Sequence, residues 1–132
     1  MEFIEGSNRA CYNPQSDKIT MPIIKQFENA EEFYNTAFHE AAHSSGHKSR
    51  LNRITETAAF GLGEYSKEEL TAEITSANIM NIAGLELQQT FENSVAYIQG
   101  WIKKLRNDSK AIITASGKAQ KATDYILNTT TK

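Results

Sequence analysis

All three histidines of this 132-residue chain fall between positions 39 and 47, and the first two belong to the string His39-Glu40-Ala41-Ala42-His43. A helix brings such a pair onto one face with Cβ atoms roughly 5–6 Å apart. A strand would leave the same two residues about 13 Å apart. If the histidines act together, residues 39–43 must be helical and the fold must enclose one face of that helix. The flanking pattern agrees. Phe33, Ala37 and Ala41 form one apolar stripe, Asn29 with Glu32 forms a cap pair for a helix starting near Ala30, and Gly46 is the expected stop.

Upstream of Ala30 the period is that of strands. Ala10-Cys11-Tyr12-Asn13 and Lys18-Ile19-Thr20-Met21 flank the turn-rich Pro14-Gln15-Ser16-Asp17, which reads as a β-hairpin. Phe3-Ile4 suggests a further strand, and Pro22 ends the second hairpin strand because it cannot donate to a ladder.

Residues 48–63 read as irregular, punctuated by Gly61 and Gly63. Ser66 is expected to cap a second helix, with Glu68 and Glu69 in its first turn, Leu70, Ile74 and Ala77 on its buried face, and Gly84 at its end. Phe91, Val95, Ile98, Ile102 and Leu105 mark a third helix. Ile112, Ala115, Ala119, Ala122 and Ile126 mark a fourth, after a break at Asn107-Asp108-Ser109. The expected fold is one α+β domain over residues 1–132, with a small N-terminal antiparallel sheet and about four helices.

With 39% hydrophobic and 23% charged residues, the composition is that of a globular chain. No apolar run approaches the ~20 residues that span a bilayer. The N-terminus is acidic where a secretory leader is basic, and Cys11 is the only cysteine. A cytoplasmic protein without a membrane partner, a disulfide or a cysteine metal site is therefore expected. A net charge of -2 argues against a dedicated nucleic-acid binder. Residues 93–132 carry seven Lys/Arg against two Asp/Glu, but these cations are scattered and read as a solvated face.

The histidine pair is expected to bind Zn2+ through imidazole nitrogens at about 2.0–2.1 Å, with Glu40 beside the ion as general base. A third ligand must come from elsewhere. His47 lies two residues short of the position at which a third histidine follows this motif in metzincins, and that position is Ser49. His47 is therefore a lesser alternative, as a ligand or as a neighbour of the site. Glu69 and Glu73 share a helical face beside an apolar stripe, where an unpaired carboxylate would be costly. Glu69 is the preferred ligand and Glu73 the group that orients a ligating histidine, with exchange of the two roles left open. Glu68 is expected to point away and act at the helix start.

The run His39-Glu40-x-x-His43-x-x-Gly46-His47-x-Ser49-Arg50-Leu51-Asn52-Arg53 resembles the zincin-like metallopeptidase domain of ArdC-type antirestriction proteins. Further matching segments follow in order: Glu68-Glu69-Leu70-x-Ala72-Glu73, Tyr97-Ile98-x-x-Trp101-Ile102, Asp108-x-x-Ala111-Ile112 and Ala119-Gln120-Lys121-Ala122-x-Asp124-Tyr125. Upstream, Asn8-Arg9-Ala10-Cys11-Tyr12 and Asp17-x-Ile19-x-Met21-Pro22 fit as well. The resemblance implies a gluzincin-like zinc site made by His39, His43 and Glu69, and a home on plasmids, phages or conjugative elements. Such proteins typically carry a single-stranded-DNA-binding domain before this one. Nucleic acid is accordingly expected as a partner only through such a domain, which these residues do not include.

The expected activity is zinc-dependent peptide hydrolysis, with a protein or peptide as substrate. Glu40 would take a proton from water and return it to the leaving amine, and His47, Arg50, Tyr65 and Tyr97 are the candidate donors to the developing oxyanion. The rival reading is a non-hydrolytic, zinc-bearing module that binds a protein partner or DNA in antirestriction or mobile-element transfer. A third is a regulatory protease with a single repressor as substrate. Three convincing ligands and an intact Glu40 favour an enzyme, since structural zinc sites usually close with four protein ligands.

Overall fold

The structure, a computed structural model, describes residues 1–54, 62–85, 87–106 and 108–129, with 62–64 described in backbone alone. Strands β1 (Glu2–Glu5), β2 (Cys11–Asn13) and β3 (Lys18–Met21) are followed by a 3-10 turn at Ile24–Gln26. Helices α1 (Ala30–Ser45), α2 (Leu62–Ala83), α3 (Gln88–Lys104) and α4 (Ser109–Leu127) complete the α+β chain.

The hairpin forms where its turn chemistry places it. Asn13 Oδ1 accepts from the N–H groups of Gln15 and Ser16, Asp17 takes the left-handed conformation at φ 53°, and Tyr12 pairs antiparallel with Ile19. β1 also forms, but on the opposite edge of β3 and parallel to it, with Phe3 opposite Ile19. The sheet is therefore mixed rather than wholly antiparallel. Gly6, at φ 99°, allows the chain to turn at the end of β1, where the N–H groups of Gly6 and Ser7 both donate to Met21 O. The chain then returns as β2 on the far side of β3.

Tyr12, Ile19 and Met21 form one apolar layer with Phe33 and Ile54, and Ala37 and Ala41 let α1 lie close against it. Asn29 caps α1 by accepting from Glu32 N–H at 2.8 Å, as its sequence indicates. α2 is the central helix and packs against α1, α3 and α4. It buries Leu70, Ala72, Ile79 and Met80 together with Thr71, Thr75 and Ser76. Those three hydroxyls donate to the carbonyls of Lys67, Thr71 and Glu73, so their burial leaves no donor unmade. α4 presents the small face Ala111, Ala115, Ala119 and Ala122. α3 turns Thr90 and Ser94 inward.

Three expectations change here. Ser66 is not a cap: α2 begins at Leu62, a turn earlier, and Ser66 is buried within it. Gly63, read as punctuation, lies within the first turn of the helix despite its weak helix propensity. Phe91, expected in the buried stripe of α3, is 47% exposed, since the helix approaches its neighbours through small residues instead. Gly61 and Asn107 lie outside the described residues. Gly84 does end α2, at φ 70°. Among the described residues no helix is long and apolar enough to cross a membrane.

Candidate metal centre

α1 and α2 face each other across the site. α1 contributes His39, Glu40 and His43 at positions a helical turn or less apart, and α2 contributes Glu68, Glu69 and Glu73. His39 Nε2 lies 3.0 Å from Glu69 Oε2, His43 Nε2 lies 3.1 Å from Glu69 Oε1, and the two Nε2 atoms are 3.1 Å apart. Three ligand-type groups thus converge, with all their donor atoms inside 4.8 Å of one another. A tetrahedral ion with bonds of about 2.0–2.1 Å separates its ligand atoms by roughly 3.3 Å. The observed edges are close to that value, so the set fits a small divalent ion.

The second nitrogen of each imidazole is also engaged. His43 Nδ1–H donates to Glu68 Oε2 at 2.8 Å, which leaves Nε2 as the nitrogen that faces the convergence point. His39 Nδ1 lies 3.0 Å from Glu73 Oε1. Glu68, expected to point away, is part of the site: its carboxylate is gripped by Arg53 Nε at 2.8 Å and Nη2 at 3.1 Å.

Arg53 reaches that position because the chain after α1 folds back on the helix end. Gly46 O accepts from the N–H groups of Arg53 and Ile54, both at 2.8 Å. The Arg53 guanidinium also donates to Ala42 O at 2.7 Å and Ser45 Oγ at 3.1 Å. Gly46 sits in the right-handed region at φ -83°, so a left-handed cap is not what it supplies. Its role is space, because a Cβ there would lie 3.0 Å from both Arg53 Nη2 and Ile54 Cγ1.

These contacts set the charges of the metal-free site. Burial opposes the charged form of His39, but Glu69 and Glu73 outweigh it and lift its pKa to about 10. His43 is likewise pushed down by burial and more strongly up by Glu68 and Glu69, to about 9. Glu69, despite a burial penalty, is held well below the usual carboxylate range by its hydrogen bonds to both histidines. Glu68 is lowered by His43 and Arg53 against the same penalty. In the metal-free protein the two imidazoles therefore hold protons where an ion would bind.

The group sits between two clefts. One, of about 450 Å3, is walled by Arg9, Cys11 and Tyr12 of the β2 region, by Glu40 of α1 and by Tyr65 of α2. The other, of about 430 Å3, lies among α1, α2 and α3 and is lined by Glu32, Asn35, Glu73, Tyr97 and Trp101. His39 and Glu69 line both.

Of the four candidate oxyanion donors, Tyr65 and Tyr97 reach these clefts. Tyr65 has its phenol pushed up by burial and then by the Glu69 carboxylate, and its ring meets Trp101 edge-on at 5.7 Å. Arg50 is committed elsewhere: it donates to Ser44 O at 2.7 Å and pairs with Asp17, which also accepts from Tyr12. His47 lies outside the convergent group, and its Nδ1 accepts from Ser49 N–H at 3.1 Å. The residues that the sequence reading missed are Glu68 and Arg53, and the resemblance to a known domain had already singled out the strings that contain them.

Comparison with known proteins agrees with this geometry. A family model described as zincin-like metallopeptidase matches residues 1–118. The solved Mn(II)-bound structure of antirestriction ArdC protein from the R388 plasmid has a TM-score of 0.78 and 38% identity, over 96% of this chain and 47% of that one. Its metal-free form gives a TM-score of 0.70 and 36% identity, over 98% and 48%. Curated relatives include the protein y4eC of Sinorhizobium fredii, 36% identical over 96% of this chain and 40% of the relative. DNA primase TraC of Escherichia coli is 38% identical over 92% of this chain and 8% of the relative. The chain thus spans less than half the length of each. With a family model covering most of its residues and a His-His-Glu set able to hold a metal, the chain belongs to the zincin-like metallopeptidases, and its fold matches that of the corresponding part of ArdC.

Proposed function

We propose that the chain is a zinc-dependent peptidase in which His39, His43 and Glu69 hold the ion. The observation that supports it is the position of Glu40, which lines the same cleft as those three residues, opposite the edge strand β2. An extended peptide can add to a free strand edge through its main chain, which would lay its carbonyls along the cleft.

An ion held by His39, His43 and Glu69 would supply Lewis acidity to a substrate carbonyl and to a water. Glu40 takes the proton of that water on a carboxylate oxygen and delivers it to the amide nitrogen that leaves. Tyr65 keeps its phenolic proton, since burial and Glu69 both oppose ionisation, and donates to the oxygen on which charge develops. Glu68, braced by Arg53, and Glu73 hold the Nδ1 sides of the imidazoles and so aim both Nε2 atoms.

The names of the longer relatives, antirestriction ArdC and DNA primase TraC, favour a second reading. In it the domain binds a protein or nucleic-acid partner on a mobile element and does not hydrolyse. One variant separates the two. Glu40→Gln should retain its metal by atomic absorption and lose about 10²- to 10⁴-fold in the cleavage rate of a peptide library. Full activity in that variant, or no cleavage by the zinc-loaded wild type, would overturn the peptidase reading.

A further inference from the structure

We propose that the cleft among α1, α2 and α3 is a specificity pocket for a cationic side chain, arginine or lysine, next to the bond that is cut. The inference rests on the peptidase reading of the metal centre and names the substrate class it would take.

Three helical stripes build the pocket. Glu32, Asn35 and His39 follow one another on α1, Glu69 and Glu73 on α2, and Asn93, Tyr97 and Trp101 on α3. The lining thus holds three carboxylates and no lysine or arginine. Two of the carboxylates are committed to the histidines, Glu69 to both and Glu73 to His39 Nδ1. Glu32 is different. Among the described residues its Oε1 accepts a single long bond, from the neutral Asn93 Nδ2 at 3.4 Å, and it stands in the first turn of α1.

Asn35 lies between Glu32 and His39, and its Oδ1 is buried without a hydrogen-bond partner. The walls supply the rest of the chemistry. Tyr97 is largely exposed, and the rings of Tyr97 and Trp101 are walls against which a cationic side chain can lie.

Length agrees as well. Glu32 is seven residues before His39, about 10 Å along the helix axis. A long side chain whose own backbone lies at the metal group can place its charged end beside Glu32, and a short one cannot.

The test uses zinc-loaded protein and matched peptides that carry arginine or its neutral isostere citrulline, and lysine or norleucine. Cleavage is read as kcat/KM, and binding to the loaded Glu40→Gln variant is read by calorimetry. The cationic peptides should be favoured about tenfold or more, the difference one well-placed charge pair makes. Glu32→Gln should collapse that ratio, and Asn35→Asp should raise it. Cleavage without a charge preference, or a preference unchanged in Glu32→Gln, overturns the pocket and leaves the peptidase standing. Charge-selective binding without cleavage of any peptide overturns the peptidase and supports the pocket. Neither cleavage nor charge-selective binding overturns both.

Discussion

Glu69 and Glu73 differ in which side of an imidazole they meet. Glu69 faces the Nε2 atoms of both histidines, at 3.0 and 3.1 Å, whereas Glu73 meets only His39 Nδ1. The two alanine variants should therefore behave differently. Glu69→Ala removes the proposed third ligand and should abolish stoichiometric metal binding in equilibrium dialysis. Glu73→Ala removes a brace and should weaken the affinity about 10- to 100-fold. Loss of the metal in Glu73→Ala with retention in Glu69→Ala would reverse the assignment. That Glu69 and Glu73 would stand together facing α1 was legible in the sequence, because a spacing of four fixes which residues share a helical face. Glu68 was not. Its partners are Arg53, 15 residues away, and His43, 25 away, and a carboxylate near a helix start has a local explanation that is equally good without them.

Elements show the same division between local and distant causes. The Asn29 cap, the hairpin turn and the Gly84 stop were readable because each is closed by neighbours a few residues off. The start of α2 was not, since the helix is held by packing against α1, α3 and α4, which no local signal records. The direction of β1 depends on how residues 6–10 cross the end of the sheet, which no alternation pattern records. α4 is the helix whose packing is most demanding. Ala119 is fully buried on the face that meets α2, with Thr123 and Asn78 in contact nearby. Ala119→Leu should overpack that contact and cost about 1–3 kcal/mol, read as a lowered denaturant midpoint. An unchanged midpoint would mean that α4 can move away from α2 freely.

For the whole molecule, metal and protons compete for one site. In the metal-free protein the imidazoles of His39 and His43 titrate near pH 10 and 9, against about 6.5 for an unperturbed histidine. The folded state binds these protons more tightly than the unfolded state does. Their contribution to stability is therefore full below about pH 6.5 and is lost as the pH rises to 9–10. Chelated protein should show a thermal midpoint that falls over that interval, and metal-loaded protein should not. Metal uptake at pH 7 should release protons, and its affinity should rise with pH, which calorimetry in buffers of different ionisation enthalpy reads directly. With two of the proposed ligands on α1 and the third on α2, an ion at a thousandfold excess over its Kd should stabilise the docked pair by about 4 kcal/mol.

β1 touches the rest of the chain chiefly through its parallel pairing with β3, and all four of its residues are exposed. Its bonds to β3 can open without disturbing the Tyr12–Ile19–Phe33 layer that seats α1. Hydrogen exchange should therefore rank the molecule from the outside in. The amides of Glu2–Glu5 should exchange first, and those of α1 and α2 last and further slowed by metal. Equal protection in β1 and α1 would mean that the strand opens only with the whole fold.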